Sequence, residues 1–269
     1  MKKYIENQVL MRNKFLLDSG KGLKFYIEQF WVGLLEGDGS IVIRRNKGNK
    51  SYGVFEISLK YLTKNEELLK LISYFIGGTV YYEKKNKEII KVKWLAISKK
   101  DVQNCVNILT KYPLLTSRKI CQLDHLLKCI EIQDWNYHLN TRAHKYDMQP
   151  NLIEYNTDFK IPTYFKGWVS GFVEAEGCFR MNKNKASSFY ISQNNDLYII
   201  KAIQTLFNSN HKIGIHKDLR TKVDLSYKNV HYRISISGKP CLNLIKNHFS
   251  NYPLLGNKLE SYSNWSNSI

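Results

Sequence analysis

Cysteine and proline are both scarce in this chain, five of each in 269 residues. Cys105, Cys121, Cys129, Cys178 and Cys241 are odd in number and never form a Cys-x-x-Cys pair, which argues against a disulfide framework or a zinc knuckle and for buried thiols. No apolar run approaches the roughly 20 residues that span a bilayer, and the start, MKKYIENQVLMRNKF, lacks a signal-peptide core, so a soluble protein is expected. That start mixes basic and apolar residues, but Glu6 and the want of a Ser/Arg-rich stretch make it a weak organelle-targeting signal. Acid is short as well. Twenty-three Asp and Glu face 41 Lys and Arg, a net charge of +18, and an excess of that size repels itself unless an anionic partner neutralises it. Nucleic acid fits that partner best. With 43% hydrophobic and 24% charged residues, the chain has the composition of a folded globular protein rather than a disordered one.

What the chain has in abundance is self-similarity. WVGLLEGDGS at 31–40 returns as WVSGFVEAEGCF at 168–179. Gly33, Glu36, Asp38 and Gly39 each match a residue 138 positions later, namely Gly171, Glu174, Glu176 and Gly177. FEIS at 55–58 is answered by FYIS at 189–192, and YPLL at 112–115 by YPLL at 252–255. Each half reads as helix, hairpin, helix, hairpin, helix. SIVIRR and YGVFEISLK alternate like strands, EELLKLISYF has helical spacing up to Gly77 and Gly78, TVYY and VKWLAIS make the second hairpin, and DVQNCVNILTKYPLL closes the unit. LYIIKAIQTLF, HYRISIS and CLNLIKNHFSNYPLL repeat the order. The fold class expected is α+β, an antiparallel sheet with helices on one face in each half. The division expected is an extension over 1–27, a first repeat over 28–130, a polar, irregular linker over 131–162 with Pro150 and Pro162, and a second repeat over 163–269.

The repeated segment carries a chemical clue. Gly33 and Gly37 lie four apart on one helix face, and Gly171 and Ala175 occupy the same places in the second copy. Glycine within a helix costs about 1 kcal/mol relative to alanine, and close pairing of the two copies about a pseudo-twofold axis offsets that cost. Asp38 and Glu176 then meet at the carboxyl ends of two helices, where the macrodipole is already negative. Two adjacent acids there call for a cation, and Mg²⁺ suits carboxylate, water and phosphate oxygens.

These two segments, WVGLLEGDG and VSGFVEAEG, resemble the paired signature motifs of the LAGLIDADG homing endonucleases in their monomeric, two-repeat form, and the likeness runs from about residue 28 through both YPLL landmarks. The resemblance implies a saddle: two αββαββα units whose antiparallel sheets straddle double-stranded DNA in the major groove, with the motif helices packed centrally over the minor groove. It implies Asp38 and Glu176 as the metal-binding acids, with Gly37 and Ala175 beside them in the metal site, and Glu36 and Glu174 as supports of the helix interface. Two or three divalent ions, Mg²⁺ in function and Ca²⁺ without supporting cleavage, would serve hydrolysis of both strands and leave short 3′ overhangs. Gln193 in YISQ matches a solvent-ordering position, though its counterpart in the first half is Leu59, and Lys258 in LLGNK matches a basic position whose counterpart in LLTSR is Arg118.

Base reading is expected on the strands after each motif: Ser40, Arg44, Lys47, Lys50 and Tyr52, then Arg180, Asn182, Lys183, Lys185, Ser188 and Tyr190. The second hairpins add Tyr82, Lys84, Lys85, Lys93, Lys217, Arg220 and Lys222. The seven histidines offer no ligand set by spacing; His211 and His216 stand five apart across a loop and a strand, so a histidine-dependent nuclease is not expected. No protein partner and no membrane are required by this picture, and an organellar, mitochondrial setting is the expected location. Two other uses of the same saddle stay open: an RNA maturase that holds intron RNA, and a cleavage-dead DNA-binding paralogue.

Overall fold

The computed structural model describes residues 22–182, 185–217 and 230–269. Helix α1 (Leu23–Asp38) runs straight into strand β1 (Gly39–Arg45), which pairs with β2 (Ser51–Lys60). Helix α2 (Thr63–Ile76), strands β3 (Thr79–Lys85) and β4 (Glu88–Ala96) and helix α3 (Lys99–Lys111) complete the first unit. The second repeats it with α7 (Phe165–Glu176), β5 (Cys178–Asn182), β6 (Lys185–Asn194), α8 (Leu197–Leu206), β7 (Gly214–Lys217), β8 (Val230–Ile236) and α9 (Lys239–Asn251). Each unit holds one antiparallel four-stranded sheet, in the order β1-β2-β4-β3 and β5-β6-β8-β7. The molecule is the expected saddle of two pseudo-symmetric αββαββα repeats.

Sequence accounts for most local boundaries. Helix α2 stops where Gly77 and Gly78 take positive φ of 94° and 79°, a conformation that side chains with a Cβ resist. Ser98 caps α3 by accepting the Asp101 amide at 3.0 Å. Phe55, Ile57, Val92 and Trp94 turn one face of the first sheet into the core, and Phe189, Ile191, Ile234 and Ile236 do so in the second. A further helix follows each YPLL turn, α4 (Ser117–Ile132) and α10 (Lys258–Ser266). The segment expected to be irregular between the repeats instead carries α5 (Trp135–Thr141) and α6 (Gln149–Tyr155); polarity without apolar periodicity concealed helices that bury little.

The centre of the molecule is the crossing of α1 and α7. A β-carbon at Gly33 would overlap the Trp168 carbonyl oxygen and stand 2.7 Å from the Phe172 nitrogen; one at Gly171 would overlap the Phe30 carbonyl oxygen and stand 2.8 Å from the Leu34 nitrogen. A β-carbon at Gly37 would strike that of Ala175. The two backbones therefore touch directly, as the small residues at this spacing require. Around the crossing each motif helix reaches into the opposite repeat. The Tyr26 hydroxyl donates to the Pro253 carbonyl and the Tyr164 hydroxyl to the Pro113 carbonyl, so each helix grips the other unit's YPLL turn.

The motif glutamates fasten the same turns within their own units. Glu36 accepts the amides of Leu115 at 2.9 Å and Thr116 at 2.5 Å, and also the Trp168 indole of the opposite helix at 2.7 Å. Glu174 accepts the amides of Gly256 at 3.1 Å and Lys258 at 2.8 Å. Only Glu36 thus bridges the helix interface by a hydrogen bond; both carboxylates fix the turn that launches the next helix. Burial pushes the Glu36 carboxyl up to about 7 against the pull of its N–H donors.

Two outcomes follow from this centre. Gly171→Ala forces the helices apart and destabilises the fold by about 3 kcal/mol or more, at the upper end of overpacking costs, measurable by chemical denaturation. Glu36→Gln turns an amide N–H toward backbone donors and costs about 1 to 3 kcal/mol. The folded chain holds the Glu36 proton to about pH 7, the unfolded chain only to its ordinary value of 4.5, so the native state binds more protons between them and stability falls as pH rises. Denaturation midpoints across that window should decline more for the wild type than for Glu36→Gln.

Candidate active site

Because α1 and α7 cross at their small residues, their last residues emerge together. Asp38 ends α1 and Glu176 ends α7, and Glu176 Oε1 lies 3.7 Å from where a Gly37 β-carbon would be. Neither helix turns through a left-handed residue; both pass into a strand at an extended glycine, Gly39 and Gly177, which keeps the acids at the junction of helix and sheet. Asp38 is open to solvent and Glu176 half-buried. Protein packed behind the pair still raises both carboxyls above the ordinary range, and the charge of Asp38 raises Glu176 further. A cation would relieve this repulsion.

Two lysines flank the pair. The Lys258 and Lys119 charges both draw Asp38 and Glu176 back down. Lys258 opens α10, held by Glu174, while Lys119 lies in the first turn of α4, held through Glu36, and donates to the Gly39 carbonyl. Burial pushes Lys119 down to about 8, with Glu36, Asp38 and Glu176 opposing that shift. Arg118, matched to Lys258 by counting from the YPLL turns, points elsewhere: its guanidinium lies 4.9 Å from the Tyr146 ring centre. Helix α4 faces the site one residue later than counting from YPLL gives, so Lys119 takes the place expected of Arg118. Helical phase from Ser117 onward carried that signal, and the linear match did not.

Gln193 sits on the core-facing side of β6 and donates to Asp196 Oδ2 at 3.1 Å. Asp196 in turn accepts the Ser117 amide at 3.2 Å and the Ser117 hydroxyl at 2.5 Å, capping α4 from the opposite repeat. Leu59, the counterpart of Gln193, packs against the core.

The faces of the sheets turned away from the core hold seven of the expected DNA readers. Strand register puts Ser40, Arg44, Tyr52 and Lys93 on one such face and Arg180, Ser188 and Tyr190 on the other. Arg44 is paired with Glu56 at 3.2 Å and Lys93 with Glu83 at 2.5 Å, and the Arg180 guanidinium lies 4.3 Å from the Tyr190 ring centre. Lys47 and Lys50 lie exposed in the β1–β2 turn, and Lys84 and Lys85 at the end of β3 beyond an irregularity in register. Tyr82 is a correction: it pairs with Val92 on the helix side and donates to Glu66 Oε1 at 2.7 Å, whereas Tyr81, opposite Lys93, takes the open face. One residue of register moves a side chain to the other face. Asn182 and Lys185 pair with each other across the β5–β6 hairpin, and Lys217 ends β7 opposite Val230. Lys183, Arg220 and Lys222 lie outside the described residues. The open face also carries Ser192, Asn194, His231 and Arg233, which the expected set omitted; His231 Nδ1 and Asn194 Oδ1 are 2.9 Å apart. Their alternation along β6 and β8 was the available signal.

Carboxylate oxygens at a solvent-open junction, with two ammoniums beside them, fit Mg²⁺ or another hard divalent ion, which prefers oxygen donors and keeps several waters. No helix among the described residues is long and apolar enough to cross a membrane.

Comparison with known proteins agrees with this geometry. The chain is 36% identical to a probable intron-encoded endonuclease aI3 of Dictyostelium citrinum, over 90% of this chain and 94% of that one. A protein of the same description from Debaryomyces hansenii is also 36% identical over 88% of the chain, which spans 37% of that relative's length. Among solved structures, I-SmaMI bound to an uncleaved DNA target in the presence of calcium ions superposes with a TM-score of 0.61 at 18% identity, covering 89% of each chain. The sequence model of the LAGLIDADG endonucleases matches residues 31–127 and again 169–269, and with both repeats accounted for, the chain belongs to the LAGLIDADG endonuclease family.

Proposed function

We propose that the protein is a site-specific DNA endonuclease that acts as a monomer and cuts both strands of a long target across the minor groove, leaving short 3′ overhangs. The observation that supports it most is the convergence of Asp38 and Glu176 with Lys119 and Lys258, set between two sheets that turn basic and aromatic side chains outward. The calcium-containing I-SmaMI complex and the intron-encoded relatives support divalent metal and a mobile-intron origin; an organellar setting goes with that origin.

Asp38 and Glu176 would hold Mg²⁺, with the backbone at Gly37 and Ala175 fixing their spacing. When bound, the metal supplies Lewis acidity and lowers the pKa of its water. The protein's own part is positional. Close packing of α1 and α7 sets the separation of the acids, Glu36 and Glu174 set the turns, and those turns bring Lys119 and Lys258 against the acids. The two ammoniums favour ionised carboxylates and face the charge that develops on a scissile phosphate. On the sheets, Arg44 held by Glu56 and Arg180 laid over Tyr190 are preset for major-groove edges, where Arg pairs with guanine.

Asp38→Asn and Glu176→Gln should each abolish Mg²⁺-dependent double-strand cleavage of a target selected from a randomised DNA library, while binding in Ca²⁺ persists; full cutting by either variant removes that acid from the mechanism. The shell is unequal, with Gln193 and Lys258 in one half against Leu59 and Lys119 in the other. The two strands are therefore expected to be cut at different rates. A plasmid time course should show nicked circles accumulating before linear product, and their absence would overturn the asymmetry.

A further inference from the structure

At the end of the first repeat, away from the paired acids, His125 and Cys129 of α4 and His138 of α5 turn their donor atoms toward one another. His125 Nε2 lies 3.1 Å from His138 Nδ1, and Cys129 Sγ lies 3.6 Å from His125 Nε2 and 3.9 Å from His138 Nδ1. A tetrahedral zinc with Zn–N near 2.0 Å and Zn–S near 2.3 Å separates its donors by about 3.3 Å between nitrogens and about 3.5 Å between nitrogen and sulfur. The three atoms already form the face of such a tetrahedron to within about 0.4 Å on each edge.

Local structure explains the convergence. His125 and Cys129 are four apart on α4 and share a face. The chain then reverses at Gln133, in the left-handed region at φ 54°, and Asp134 caps α5 by accepting the Asn136 amide at 2.9 Å, which returns His138 over that face. Spacing along the sequence could not show this, because the third donor arrives across a helix reversal.

We propose that His125, Cys129 and His138 bind one zinc ion, with water in the fourth position. Imidazole and thiolate donors select zinc and exclude Mg²⁺ and Ca²⁺, so this site is chemically separate from the carboxylate pair. Cys129 binds as thiolate and its proton leaves to solvent. His125 and Cys129 are buried, while the partly exposed His138 gives the ion its route in. The ion ties α5 to α4. The same corner grips the β1–β2 hairpin: the Trp135 amide donates to the Asn49 carbonyl at 3.2 Å, the Ser51 hydroxyl to the Asp134 carbonyl at 3.0 Å, and a β-carbon at Gly53 would lie 2.8 Å from Leu126. Zinc thus braces the hairpin that carries Lys47, Lys50 and Tyr52. Its bearing on target reading rests on the proposed endonuclease function; the metal site itself does not.

The test uses the full chain, stripped with chelator and dialysed against Zn²⁺ or Co²⁺. One zinc per chain is expected by mass spectrometry, the cobalt form should show the intense visible bands of tetrahedral Co²⁺ with a thiolate charge-transfer band, and zinc should raise the thermal midpoint. Cys129→Ser should lose the charge-transfer band and bind zinc about 100-fold more weakly or worse. His138→Gln, on the partly exposed α5, should lose the thermal response while remaining folded. Asp38→Asn should keep all three signals, even where it has lost cleavage. Zinc retention equal in wild type and Cys129→Ser, an octahedral cobalt spectrum, or loss of the ion in Asp38→Asn alone would overturn the site.

Discussion

Everything that matters in this molecule depends on how closely α1 and α7 approach. Gly33 and Gly171 each admit the carbonyl of the opposite helix where any side chain would collide with it. That approach brings two helix ends, each finishing in an acid, to one point, and it does so without a turn that could flex. Protein packed behind the helix ends raises the carboxyls of Asp38 and Glu176, and the charge of Asp38 raises Glu176 further. Preorganised charge of this sort costs stability in the free protein, and in the proposed function cations and phosphate would offset that cost.

A chain of hydrogen bonds carries the consequences outward. Tyr26 and Tyr164 cross between the repeats to the YPLL turns, and Glu36 and Glu174 hold the amides that follow those turns. From there α4 and α10 begin, and with them Lys119 and Lys258. Asp196, reaching over from the second repeat to cap α4 of the first, adds another tie across the pseudo-twofold axis. The repeats behave as one unit because the groups that aim the lysines are shared between them. Symmetry is close but incomplete: only Glu36 takes the indole of the opposite helix, and only the second half has a glutamine at the place of Leu59.

The same physics would separate the two metal sites proposed for this chain. Carboxylates at the solvent-facing end of two helices suit a hard, hydrated ion, which in the proposed function would also meet phosphate oxygens. His125, Cys129 and His138, in the corner of α4 and α5, offer imidazole and thiol donors at tetrahedral spacing.

Sequence alone determined the duplication, the α+β class, the two acids and the small residues that bring them together, because these depend on local periodicity and on a motif repeated at constant offset. It also placed Ser40, Arg44, Arg180 and Tyr190 on the outward face, since alternation along a strand is a local property. Tertiary structure decided the rest. Lys119 rather than Arg118 faces the acids because the phase of α4 is set by Glu36, Asp196 and packing, not by distance from YPLL. Tyr81 rather than Tyr82 faces outward because strand pairing fixes register. The His125, Cys129 and His138 group exists only once the chain has folded back at Gln133. Contacts between residues remote in sequence are chosen by the global packing of helices and sheets, and no window of the chain contains them.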